Sequence, residues 1–429
     1  MPRFACGAWL AAFLMVVACG KVSDKPPVDG PPGGDGGGAC TANDQCAAPT
    51  PVCDTAGGTC VECVQSDQCP AERPTCDVAT HTCGECVVDA DCASDVCDTA
   101  AGTCLDEANV LYAAPAGPDA GTCPKSSPCS LVQAAALAAP PRINIKLAAG
   151  TYSAHVILTN KTLVFFGVGA TINAQGTNAT FEVQDGGHLR IAGATVTAAS
   201  TVTAIRCEGA AATTDLFRVT IQNTSTTMIA NPCTMTVTES VLRNTSAVDF
   251  QILIVGPSVA TFDRTRFVGN GTGGLGGLAN ADIRITNSLF TKVGKAGDHG
   301  AFVGGAYNVK FSTVVDGIVE CSTAGATALM MDSSIVRNTV AGAGDTLIGI
   351  NACTSVKNSV VFPNAAPLGA TNLIADPQLK NIAADDYHLL VTSPALDHGD
   401  PASTLDIDFD GTARPQGAGR DSGAFEFKP

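Results

Sequence analysis

DLFRVTIQN (215–223), TVTESVLRN (236–244), TFDRTRFVG (261–269) and RITNSLFTK (284–292) are one phrase written four times. The second and seventh letters are apolar, and the fifth is small or β-branched. Extended in both directions, the seventh letter becomes the column Val196, Ile221, Leu242, Phe267, Phe290, Val315, Val336 and Val361, at separations of 25, 21, 25, 23, 25, 21 and 25 residues. Two places earlier stand Ala194, Val219, Ser240, Thr265, Ser288, Thr313, Ser334 and Ser359. Five places earlier stand Ile191, Leu216, Val237, Phe262, Ile285, Lys310, Met331 and Val356, interrupted only by Lys310. A period of this length in short Val/Ile/Phe/Thr runs is the mark of a solenoid. One coil of parallel strands per repeat stacks equal offsets about 4.8 Å apart, so each apolar column becomes an interior ladder.

Residues 110–427 are therefore expected to form an all-β, right-handed parallel β-helix of about ten coils with N- and C-terminal caps, since parallel crossovers are right-handed. Asn223, Asn244 and Asn338, with Gly269 and Gly317 at the same offset, are expected at a left-handed turn. Cys207 with Cys233 and Cys321 with Cys353 fall at matching places on successive coils, so each pair is expected to bridge neighbours; Cys123 and Cys129 form a third local pair. Ser130-Leu131-Val132-Gln133 has capping-box form and opens a short helix, reaching to Ala139, over the first coil.

Ahead of the solenoid, three repeats hold four cysteines each: Cys40, Cys46, Cys53, Cys60; Cys63, Cys69, Cys76, Cys83; and Cys86, Cys92, Cys97, Cys104. Units of about 23 residues are too small for a hydrophobic core and need cross-links. Two disulfides per unit are expected in an exported chain, with the connectivity left open. The competing reading is a zinc ribbon from Cys60, Cys63, Cys83 and Cys86, but it splits across repeats and strands eight thiols. Between Cys40 and Cys104 there are 11 Asp+Glu and one Arg, so this stretch carries most of the formal charge of −16. Calcium, a basic partner protein, or plain solubility of a stalk are the readings of that charge. A chain this acidic has no basic face for nucleic acid.

The N-terminus reads as a secretory signal over residues 1–18, with Arg3 before the apolar run Phe4 to Ala18. Met15-Val16-Val17-Ala18-Cys19-Gly20 resembles the lipobox of bacterial lipoproteins. The resemblance implies a lipidated Cys19, a membrane partner through that anchor, and, from Gly20, the outer membrane or cell surface. Residues 19–39, rich in Gly and Pro, form a mobile tether. The Cys-rich units at 40–104 look like short repeats of bacterial surface proteins, which implies a spacer or interaction role.

Tyr112-Ala113-Ala114-Pro115, Gly117, Asp119, Gly121, Cys123, Pro128-Cys129 and Leu147-Ala148-Ala149-Gly150-Thr151-Tyr152 resemble the start of pectin lyase-like right-handed β-helix proteins. Asp376-Pro377, Tyr387-His388-Leu389, Asp408-Phe409-Asp410-Gly411, Arg414-Pro415 and Gly423-Ala424-Phe425-Glu426 resemble the end of bacterial surface members. That fold hosts lyases, hydrolases and adhesins alike. Neither a lyase-type set of carboxylates with an Arg or Lys base, nor a galacturonase-type Asp cluster with His and Arg-x-Lys, is complete. The nearest approach is Asp298 and His299, with Asp316, Glu320 and Lys292 as neighbours. Arg218, Glu239 and Arg264 share an offset and predict a charge ladder; Asp316 and Arg337 predict another pair. Arg218, Arg243, Arg264 and Arg266 are the candidates for binding an acidic glycan. Asp406, Asp408 and Asp410 resemble half of a calcium loop, but Gly417 stands where the twelfth ligand belongs. Arg414 is the expected partner of Asp408 or Asp410. No other cofactor is raised. The expectation is a lipid-anchored, non-catalytic β-helix that binds extracellular polysaccharide or other surface proteins; the alternative is a polysaccharide lyase or glycoside hydrolase acting on acidic glycans.

Overall fold

A computed structural model describes residues 39–429, apart from 175, 177, 199–201, 223, 225, 244–249, 270–272, 279, 295–299, 322–327, 339–344 and 349–352. The described residues fall into two compact units, 39–62 and 63–429. Cys6, Cys19, Asn223, Asn244, Asp298 and His299 lie outside the described residues. Among the described residues, no helix is long and apolar enough to cross a membrane.

The unit 39–62 is a single Cys-rich repeat. Its hairpin pairs Val52–Asp54 with Thr59–Val61, and Cys40–Cys53 and Cys46–Cys60 staple it. The Gln45 side chain accepts from the backbone N–H of Thr41 and Ala42, at 2.6 and 3.3 Å. The next two repeats follow the same plan, with Cys63–Cys76 and Cys69–Cys83, then Cys86–Cys97 and Cys92–Cys104. First pairs with third and second with fourth in every repeat. Cys60, Cys63, Cys83 and Cys86 are all consumed in these bonds, which removes the zinc-ribbon reading.

Three parallel sheets build the β-helix within 63–429. One has eleven strands, from Val110–Ala113 to Ser355–Lys357; a second has eleven shorter ones, from Gly150–Ser153 to Leu373–Ile374. The third has seven, from Val156–Thr159 to Phe302–Val303, and a separate pair, Val319–Glu320 with Leu347–Ile348, follows it. Leu242 lies directly opposite Phe267 and both are fully buried. An aromatic spine continues through the interior: Phe267 stacks on Phe290 with centroids 4.3 Å apart, and Phe290 meets Phe302 edge-on at 5.3 Å.

The register differs from the sequence expectation at one coil. Phe290 pairs with Val314, and Val314 with Val336, so Val314 is the inward residue in place of Val315. The same shift puts Val309 between Ile285 and Met331, with Lys310 on the outside, and Ser312 in the small-residue column in place of Thr313. Side chains alternate faces with period two, so a one-residue slip turns every one of them over. Lys310 as the only break in an apolar column was the trace of that slip.

The left-handed turn also lies elsewhere than expected. Asn338, Gly269 and Gly317 do not adopt positive φ. The positive angles, 47° to 77°, stack three residues before the inward anchor at Gly169, Gly193, Arg218, Glu239, Arg264, Asn287, Phe311, Ser333 and Asn358. A non-glycine residue there costs about 1 kcal/mol. The cost is met in register: the N–H of Gly193, Arg218, Glu239, Arg264 and Asn287 each donates to the next coil at 3.0–3.2 Å. Beside this turn the small column forms an interior hydroxyl ladder. Ser288, Ser312, Ser334 and Ser359 Oγ accept from the backbone N–H one coil before, at 3.1–3.2 Å. Each Oγ also donates to a carbonyl two residues back.

The cysteine pairs Cys207–Cys233 and Cys321–Cys353 link successive coils, and Cys123–Cys129 closes the loop against the first strand, where Cys129 N–H donates to Tyr112 O at 3.0 Å. The helix runs Leu131–Leu137, and Ser130 Oγ accepts from Gln133 N–H at 3.1 Å. Gln133 Nε2 turns to Gly121 O instead of completing the capping box.

Candidate functional site

The outer faces of the coils are covered in two places. At the start, Val96 of the third Cys-rich repeat is fully buried among Val110, Tyr112, Val164, Phe166, Ala192 and Phe217 on the outside of the first eleven-stranded sheet. Tyr112 Oη donates to Ser94 O at 2.7 Å, and burial pushes its pKa up to about 12. Lys146 pairs with Asp89. Arg190 donates a two-pronged pair of bonds to Asp98, 2.7 and 2.8 Å. Burial raises the Asp98 pKa, but the Arg190 hydrogen bond and charge outweigh it and hold the carboxyl below its ordinary value. At the far end, residues 379–425 cover the shorter-strand sheet: Leu289, Val315, Ile335 and Val360 pack with Leu379, Tyr387, Leu389, Ala395, Ala424 and Phe425.

Sequence reasoning placed a cap at the C-terminal end but not its spread over the outer face of the sheet, and missed the docking of the third repeat, yet a signal was present. Strands open to water on one face alternate, whereas Leu163-Val164-Phe165-Phe166 is apolar without a break, and Leu289-Phe290, Val314-Val315, Ile335-Val336 and Val360-Val361 double up. Consecutive apolar residues mean both faces are buried.

Between the third repeat and the turn ladder lie two adjoining depressions. The first, about 350 Å³, is lined by Arg190, Asp215, Phe217, Arg218, Glu239 and Arg264, with Thr99, Ala100 and Thr238. The left-handed ladder delivers Arg218, Glu239 and Arg264 to its edge in one stack. Arg218 Nε and Arg264 Nη1 both donate to Glu239, at 2.6 Å each, and Arg264 Nε reaches Asp263 at 3.0 Å. The Arg218 guanidinium lies 4.7 Å above the Phe217 ring, and its side chain is half exposed. Asp215 lies 3.5 Å from Arg190; burial raises its pKa despite that charge. The second depression, about 370 Å³, is lined by Val87, Val88, Phe166, Val168 and Ala192, with Arg218 and Thr99 at the seam.

The other predicted residues are dispersed. Arg243 and Arg266 sit on the outer side of the shorter-strand sheet, where Arg243 is exposed and Arg266 pairs with Asp385 at 3.2 Å. The four glycan candidates therefore divide between turn and sheet. Asp316 is half-buried, and its charge acts on the Tyr387 hydroxyl, whose pKa burial raises to about 12. It faces the C-terminal covering. Arg337 takes Asp376 as partner at 3.0 Å, because the corrected register sets Arg337 opposite Val315 and not Asp316.

The calcium reading fails on its donors. Asp408 accepts from the backbone N–H of Asp410, Thr412 and Glu426 at 2.6–2.9 Å, so its oxygens are filled from within the chain. Asp410 is held by His388 Nε2 at 2.7 Å, and Asp406 is exposed. Arg414 pairs with fully buried Glu426 at 2.8 Å, in place of the expected Asp408 or Asp410. His388 is bonded at its other nitrogen to Asp386 at 2.6 Å and lines a cavity of about 430 Å³ with Lys380 and Glu426.

No protein-family model matches the chain, and no curated protein matches it. Among solved structures, the chain is similar to the crystal structure of pectate lyase Pel9A, with 15% identity and a TM-score of 0.45, over 74% of this chain and 96% of that one.

Proposed function

We propose that this is a membrane-tethered β-helix, stiffened by disulfides, that binds an acidic extracellular polysaccharide without cleaving it. In this reading the signal peptide is removed, Cys19 carries lipid, and residues 19–39 hold the folded part off an outer-membrane or cell surface. The observation that carries the binding role is the exposed Arg218 fork at the groove of the turn ladder: Arg190 and Arg264 are tied to Asp98, Asp263 and Glu239, whereas half-exposed Arg218 is held through its Nε. Guanidinium forks recognise carboxylates in plane, which suits uronate sugars.

The pairing of the described acids and bases with one another supports binding without cleavage. Asp98, Glu239, Asp263, Asp376 and Glu426 each accept from an arginine, and His388 is bonded at both ring nitrogens. General acid–base work needs a group free to exchange its proton with substrate.

The test is incubation of the purified full chain with a panel of acidic glycans, with and without Ca²⁺, reading both binding and new chain ends. Binding with no new ends is expected, and charge reversal at Arg218 and Arg264 abolishes it. New unsaturated or reducing ends would replace this reading with the lyase or hydrolase alternative.

A further inference from the structure

The aliphatic hollow beside the arginine groove narrows the ligand class. Val87, Val88 and Val168 are 72%, 54% and 67% exposed, although a buried wall of Phe166 and Ala192 stands behind them. Its volume of about 370 Å³ is that of a small-ligand site. Among the described residues, no exposed large hydrophobic side chain is aromatic. The one ring among its lining residues, Phe166, is only 3% exposed, so the hollow offers chiefly methyl groups and little ring platform for a bare sugar face. Arg218 lines both depressions, and its described hydrogen bond uses Nε alone. The Phe217 ring beneath the guanidinium attracts and steadies it.

We infer that the two depressions form one site for an O-acylated acidic glycan: Arg218 takes a uronate carboxylate, and the valine-lined hollow takes the acyl group carried on the same or the neighbouring sugar. This rests on the glycan-binding reading above and adds the substituent that the ligand must carry. The hollow and the groove adjoin, so one disaccharide unit reaches both. Removing the acyl group leaves the arginine contact intact and the hollow empty.

The experiment is calorimetric titration of the full chain with O-acetylated alginate, and with the same preparation de-O-acetylated in alkali. The acetylated polymer is expected to bind about tenfold more tightly, the worth of burying one small acyl group. Val168→Ser, an uncharged change at an exposed position, lowers the preference for the acetylated polymer. Arg218→Glu weakens both polymers. Equal affinities for the two polymers in the unaltered protein overturn this inference while leaving the glycan-binding reading in place. Binding of neither polymer overturns both.

Discussion

Val309 and Lys310 give the sharpest test of the register. The structure buries Val309, 1% exposed, between Ile285 and Met331, which are themselves 0% and 1% exposed. Lys310 points outward on the next position. Truncating Val309→Ala removes two methyl groups, worth about 0.8 kcal/mol each, and leaves a cavity that rigid ladder neighbours cannot close. The sum is about 2 to 2.5 kcal/mol. Lys310→Ala removes an exposed chain and is expected within about 0.5 kcal/mol of the parent. Because both variants keep the fold, urea unfolding followed by far-UV circular dichroism reads them directly, as a shift of midpoint at constant slope. A larger loss for Lys310→Ala than for Val309→Ala would refute the register, and with it the columns that depend on it.

Four further outcomes follow from the same packing. Ser288→Ala leaves the buried Thr265 N–H without its acceptor and should cost about 1–3 kcal/mol in the same unfolding assay. Arg414→Ala strands the fully buried Glu426 and should cost about 3–5 kcal/mol, and Glu426→Ala should cost a similar amount by stranding Arg414. Replacing Cys207 and Cys233 together by Ala opens a 26-residue loop, worth about 3.5 kcal/mol by loop-closure entropy, read from thermal or urea midpoints. Burial raises the Asp421 pKa to about 6 from 3.8, so its contribution is complete below the lower value and is lost as pH climbs through the higher one. Asp421→Asn should therefore flatten the pH dependence of stability between about pH 4 and 6, while a curve unchanged by that substitution contradicts the assignment.

The solenoid was legible because Leu216, Val237, Phe262 and Ile285 recur at nearly even intervals, and parallel stacking is the arrangement that buries them all. The left-handed ladder was not, because Arg218, Glu239 and Arg264 are residues that local propensity would not place at positive φ. Stacked hydrogen bonds from both neighbouring coils override that preference, and no single-residue rule contains them. The groove was half legible: the shared offset of Arg218, Glu239 and Arg264 showed a ladder of charge. Its other wall comes from Thr99 and Ala100 of a Cys-rich repeat more than ninety residues from Arg190 in the case of Asp98. Cysteine spacing says which residues are cross-linked and nothing about where the repeat will dock.

Docking of the third repeat also explains why the candidate site lies where it does. Covering the first coils turns Val164, Phe166 and Phe217 from exterior positions into a buried floor. Arg190 is anchored there by Asp98, so its charge is fixed in place before any ligand arrives. Arg218 differs, since Glu239 holds only its Nε and the aromatic ring beneath it restricts motion without using its remaining donors. A pre-positioned cation with free N–H groups loses little freedom on binding. Docking of the third repeat thus fixes the Arg190 wall, while the turn ladder and Phe217 place the Arg218 fork, and a chain lacking residues 86–104 would expose Val110, Tyr112, Val164, Phe166 and Phe217.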